Sequence, residues 1–376
     1  MKRLAHPAVL LPLVLLGLLL GISGGFIRVG STLTTWGAEG HGLYMVGGFL
    51  GTLISIERAM VMKQKIWLLV PFASGISTLF FLVGYSEIGY SLLLLASLAL
   101  TLIMHLQSLK HPKIQSYLLY IGAVLWFLGN FMAFFQDLIA AGTTWWIGFL
   151  LFTIVGERIE LSEYLPVKDS IKIILLAFLA LFFLGLLIPF HGTAPYFLGV
   201  STILIAIWLF RYDMARVSIR KSHQFKYIGL GLLIGYFWLL IFGLIVILLP
   251  SHPLYYDLFL HSFFLGFVFS MIWAHAPIIF PLIFGIKESP FHPILWIPWA
   301  LFQLTLIGRI LSSSMSWTDE RKWMAIANGF GILLMFLAMA ILVFLKKSHS
   351  YKAEASRSDK NHLKPKNEDL NFGVNA

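Results

Sequence analysis

The chain contains no cysteine. Neither a disulfide nor a thiolate metal site can form, so any metal or cofactor must be held by other side chains. Charge is scarce as well. Only 12% of the 376 residues are Asp, Glu, Lys or Arg against 59% apolar, and a soluble domain so composed would have too little polar surface to stay dissolved. Alternating apolar and polar residues are also missing, which argues against a β-barrel. A Walker loop and a His-Glu-x-x-His helix are absent.

What is there is a series of continuous apolar blocks. Each is about twenty residues long, the length a helix needs to cross roughly 30 Å of hydrocarbon. The pattern predicts an all-α, polytopic integral membrane protein with about twelve transmembrane helices. The spans fall near residues 7–28, 40–62, 66–85, 88–107, 114–136, 143–164, 170–190, 195–212, 227–249, 256–284, 293–312 and 322–345. The first resembles a signal peptide, with Lys2 and Arg3 before Leu10–Leu20. Its apolar run continues to Ile27 without a clear cleavage site, so it reads as a retained span.

The net charge of +10 does not point to nucleic acid, because Lys and Arg sit in the short loops between spans. With the N-terminus inside, the inner loops hold Lys63, Lys65, Lys110, Lys113, Lys168 and Lys172, then Arg216, Arg220, Lys221 and Lys226, and Lys287. The outer loops hold little beyond Arg28, Arg321 and Lys322. This asymmetry expects a multi-pass protein of the cell membrane with both termini cytoplasmic. Residues 1–346 form the membrane domain, and the polar residues 347–376 read as a disordered cytoplasmic tail.

One internal repeat emerges. Shifted by one hundred residues, His41–Arg58 lies on Ala141–Arg158 with seven of eighteen positions identical, among them Gly48/Gly148, Glu57/Glu157 and Arg58/Arg158. A weaker third copy, Phe259–Ala276, matches at Gly266, Phe267 and Ile272. The repeated spans are the second, sixth and tenth, so the expected architecture is a threefold repeat of four helices in parallel orientation.

Titratable residues inside spans are costly and are functional candidates. An outer pair consists of His41 on span two and His261 on span ten, which the repeat register sets at nearly one depth. Two neutral imidazoles on facing helices suit bis-histidine haem ligation; the plainer reading is hydrogen bonding between helices. The His41 face is expected to continue through Met45, Gly48, Thr52 and Ser55, with Trp36, Tyr44, Tyr255 and Tyr256 lining the pocket. An inner set comprises Glu57, Arg58, Glu157, Arg158 and His275, with His105 near the same surface. It reads either as a proton path or second ligand site, or as ion pairs that fix helix packing. Asn130, Gln136 and Asp137 are candidates for hydrogen bonds across helices.

The stretch His41-Gly42-Leu43-Tyr44-Met45-Val46-Gly47-Gly48-Phe49 resembles the second-span histidine segment of heme-copper oxidase catalytic subunits. It also resembles the His-x-x-Met-x-x-Gly-Phe stretch of NnrS-type nitric-oxide-response proteins. The twelve-span layout and the histidine on span ten look like that superfamily too. The resemblance implies a haem b held by His41 and His261, with a role in electron transfer or in response to nitric oxide or another small gas, and a redox or respiratory partner. It allows copper as a further cofactor but without a full ligand set: the outer half of span six carries Trp145 and Trp146 in place of histidine, span seven offers only His191 at its end, and span ten lacks a close His-x-His pair. A dioxygen-reducing centre is not expected. The competing readings are a cofactor-free transporter or proton-coupled permease, and an assembly factor for a respiratory complex. No residue pattern specifies enzyme activity or an oligomeric state.

Overall fold

The computed structural model describes residues 6–163, 165–286 and 289–362, and every regular element among them is a helix. Twelve long helices run in alternating directions. They are α1 (Leu11–Arg28), α2 (Leu43–Gly51 continuing as Thr52–Met60), α3 (Leu69–Leu82), α4 (Ser86–Lys110), α5 (Ile114–Phe135), α6 (Ile139–Ser162), α7 (Asp169–Leu186), α8 (Ala194–Tyr212), α9 (Gln224–Leu248), α10 (Tyr255–Phe284), α11 (Trp296–Ser314) and α12 (Thr318–His362). Eleven are long and apolar enough to cross a membrane; α2, built from nine residues of π-helix and nine of α-helix, is the remaining one. In hydrocarbon a helix satisfies its backbone donors and acceptors internally, which is why blocks of this composition adopt it.

Helices adjacent in sequence pack against one another, and α12 returns to α1. α2, α6 and α10 lie at the centre: α6 and α10 are the most buried of the eleven, and nearly all of Leu43–Gly51 is buried. Apolar side chains such as Leu98, Phe135, Ile173, Leu304 and Phe344 remain exposed around the outside, where lipid would meet them. Without a hydrophobic drive between helices in lipid, close approach depends on small residues. A Cβ added to Gly17 of α1 would come within 2.5 Å of the Gly48 backbone of α2, and one on Gly142 of α6 within 2.5 Å of the Gly129 carbonyl of α5. Polar side chains add cross-links: Trp146 donates to Asn130 at 3.0 Å, and Trp238 to Gln303, which in turn donates to Ser270.

Two features were not legible in the helical periodicity. Leu43–Gly51 of α2 and Ser262–Phe269 of α10 are π-helical, and in the repeat register they coincide to within one residue. In α2 the Gly47 carbonyl accepts from Thr52 and from Ser74 of α3, which satisfies it as the backbone bonds widen from i+4 to i+5. The second feature is the length of α12, whose backbone stays helical to His362. The polar stretch expected to be unstructured thus begins in a helix, and residues 363–376 lie outside the described residues, as do Lys2, Arg3 and Lys287.

Candidate functional site

The first residue of the outer pair is fixed by glycines. Gly21, Gly24 and Gly25 on α1 leave a channel into which Met45, the Gly37 carbonyl and the His41 ring pack. Gly37 has φ +89, a conformation suited to glycine, and folds the α1–α2 loop back onto α1. His41 thereby comes within 2.6 Å of the Gly21 carbonyl and donates its Nδ1 proton there. That bond sets the tautomer, and Nε2 keeps its lone pair with no protein partner among the described residues.

His261, at the end of the first α-helical turns of α10, sits in a charged network. Its Nδ1 proton is shared between the backbone carbonyl of Asp257 at 2.8 Å and the Asp257 carboxylate at 3.0 Å. Arg309 of α11 donates to the same carboxylate at 2.8 Å and to His261 Nε2 at 3.1 Å. Ser313 donates to the other carboxylate oxygen, and Arg321 lies 3.9 Å from it. Arg309 Nε has no hydrogen-bond partner among the described residues.

Both histidines line one cavity of about 470 Å³ at this end of the bundle. Its walls come from α1, α2, α6, α10, α11 and α12 and are mostly apolar, with Arg28 and Arg309 among the few charged groups. From α2 the lining residues are Met45, Val46 and Leu50, with His41 and Gly42 just before its first residue. The face expected from a 3.6-residue period is therefore corrected. Met45 belongs to the cavity, but Gly48 packs on Gly17 and Thr78, and Thr52 and Ser55 are buried elsewhere, because the π-helical turn advances the lining by an extra residue. Of the four expected aromatics, only Tyr256 lines the cavity. Tyr44 and Tyr255 face neighbouring clefts, and Trp36 is exposed. Asp257 and Arg309 are absent from the sequence-based set. Arg309 lies inside the eleventh apolar block and Asp257 four residues before His261, so the rule that intramembrane charges are candidates could have found both.

At the opposite, lysine-rich end the inner set divides into two contacts. Arg58 of α2 forms an ion pair with Glu157 of α6 and lies 3.6 Å from Glu57. Arg158 of α6 donates to His275 Nε2 at 2.8 Å, while His275 Nδ1 donates to the Met271 carbonyl at 2.7 Å. The arginine of one repeat thus reaches the Glu position of the next, first Glu157 and then His275. Tyr236 lies near Arg158 and Asp213. His105 does not join; it is exposed, its ring 5.3 Å from Tyr120. Beyond the end of α6, Gln115 and Lys113 donate to Glu163 and hold its carboxyl below the usual carboxylate range. Among the described residues no three His, Asp or Glu side chains gather to hold a bare metal ion.

The chain belongs to the family described as Domain of unknown function (DUF8744), whose model matches residues 6–345, from α1 into α12. No curated protein and no solved structure matches the chain.

Proposed function

We propose that this is a haem-binding membrane protein, with the haem in the cavity between α2 and α10 at the outer face. The observation that carries the reading is His41: its Nδ1 is committed to the Gly21 carbonyl, so Nε2 is presented to a large apolar cavity as a neutral donor. A backbone carbonyl behind a ligating imidazole raises its basicity and holds its orientation. The fit also rests on Arg28 and Arg309 at the cavity wall, where donor capacity remains for the two carboxylates of a haem. In this reading His261 would hold the haem together with His41. Its Nε2 now accepts from Arg309, so ligation requires Arg309 to turn towards a haem carboxylate and release it. Asp257 keeps the His261 Nδ1 proton in place and balances the Arg309 charge in both arrangements.

A bound haem supplies one-electron transfer or reversible binding of a small gas such as nitric oxide. The protein's part is to hold it by His41 and His261, to neutralise its carboxylates and to keep water out with Phe264, Phe269, Leu265 and Ile332. The lysine-rich end faces the cytoplasm in this account. Purified protein made with ample haem should show a Soret band that His41→Ala abolishes and His261→Ala converts to a five-coordinate spectrum. A protein lacking any visible chromophore would overturn the proposal and leave a cofactor-free transporter.

A further inference from the structure

A cavity of about 690 Å³ opens at the lysine-rich end, between the first and second four-helix units. Its walls carry Arg58, Lys63, Lys110 and Lys113 against one carboxylate, Glu160. Lys113 is engaged with Glu163 at 3.0 Å and Arg58 with Glu157. Lys63 and Lys110 have no ion-pair partner among the described residues, and the Nε of the buried Arg58 has no partner either. The first turn of α5 ends in the same cavity. No side chain caps that 22-residue helix, and Gln115 and Ser116 line the wall, so backbone donors and the positive end of the helix dipole add to the lysines.

The repeat explains why this space is open. The next junction, between α8 and α9, is filled by its own link: the short helix Ala215–Ser218 lies so tightly on α9 that a Cβ on Gly229 would come within 2.5 Å of the Ile219 nitrogen. The link between α4 and α5 is only His111–Lys113, too short to fold back. One edge of the cavity is apolar. Leu106 and Val61 line it, and Val61 and the neighbouring Leu109 are about two-thirds exposed.

A basic pocket with an apolar flank at a helix end suits a phosphate carrying acyl chains. We propose that this cavity binds the headgroup phosphate of an anionic phospholipid, between Lys63, Lys110 and the first turn of α5, with its chains along the Leu106 side of α4. The proposal is independent of the haem reading.

Native mass spectrometry and thermal unfolding of the full chain in detergent test it, with phosphatidylglycerol, phosphatidylcholine or inorganic phosphate added. Phosphatidylglycerol should remain bound and raise Tm more than phosphatidylcholine does. Lys63→Gln with Lys110→Gln should weaken phosphatidylglycerol about tenfold and leave phosphatidylcholine unchanged. In the wild type, raising the salt should weaken phosphatidylglycerol binding, a check that needs no variant. Equal retention of the two lipids, salt-independent binding, or wild-type affinity in the double variant would overturn the proposal. Inorganic phosphate protecting as well as phosphatidylglycerol would assign the cavity to a soluble anion and overturn the lipid as its occupant.

Discussion

At the residue scale the two histidines differ in what surrounds them. His41 has one nitrogen tied to a backbone carbonyl and one unspent, whereas His261 has both engaged by Asp257 and Arg309. Their replacements should therefore differ, with His41→Ala removing the chromophore and His261→Ala changing its coordination. Arg309→Gln carries a further prediction. It leaves Asp257 beside His261 without its closest cation, and truncating one partner of a buried pair costs roughly 3 kcal/mol. Arg309→Gln should lower Tm in detergent, and adding Asp257→Asn should recover part of the loss; a double variant no more stable than the single would refute the pairing. The histidines themselves were readable in the sequence as titratable groups inside apolar blocks. Asp257 and Arg309 were open to the same rule, but the partner of His41 was not, because a carbonyl such as that of Gly21 has no side-chain signature and its position depends on how three glycines let α2 approach α1.

At the element scale the spans, their order and the shared pattern of the second, sixth and tenth were legible from block length and the Glu-Arg repeat, whereas the central place of those three was not. The π-helical segments were not, since periodicity assumes 3.6 residues per turn and the widening in α2 rests on hydrogen bonds from Thr52 and Ser74 to Gly47. The face of α2 beyond Met45 was misassigned for that reason. Helix contacts here make two predictions. Gly17→Ala places a methyl group against the Gly48 backbone and should destabilise the protein by about 1–3 kcal/mol, measured by thermal unfolding; an unchanged Tm would show that α1 and α2 are not so close. His275 occupies the position that carries Glu in the first two copies and receives Arg158. His275→Glu should therefore keep that contact and the fold, while His275→Leu leaves Arg158 without it and lowers Tm. Equal stability of the two variants would contradict the repeat-to-repeat contact.

For the whole molecule, charge is segregated by end. The histidine cavity and its arginines lie at one end, and the lysine-rich links and the open cavity between the first two units lie at the other. The absence of cysteine makes orientation directly measurable. Ser222→Cys, exposed in the link before α9, should react with a membrane-impermeant maleimide only after cells are opened. Ser251→Cys, exposed in the link before α10, should react in intact cells. The reverse pattern would put the histidine cavity on the cytoplasmic side. The most direct test of the haem account is the visible spectrum of the purified protein, oxidised and dithionite-reduced, beside that of His41→Ala. The account predicts a Soret band with sharp α and β bands on reduction, all lost in the variant. A wild-type spectrum without these bands, or a band unaltered by His41→Ala, would contradict it.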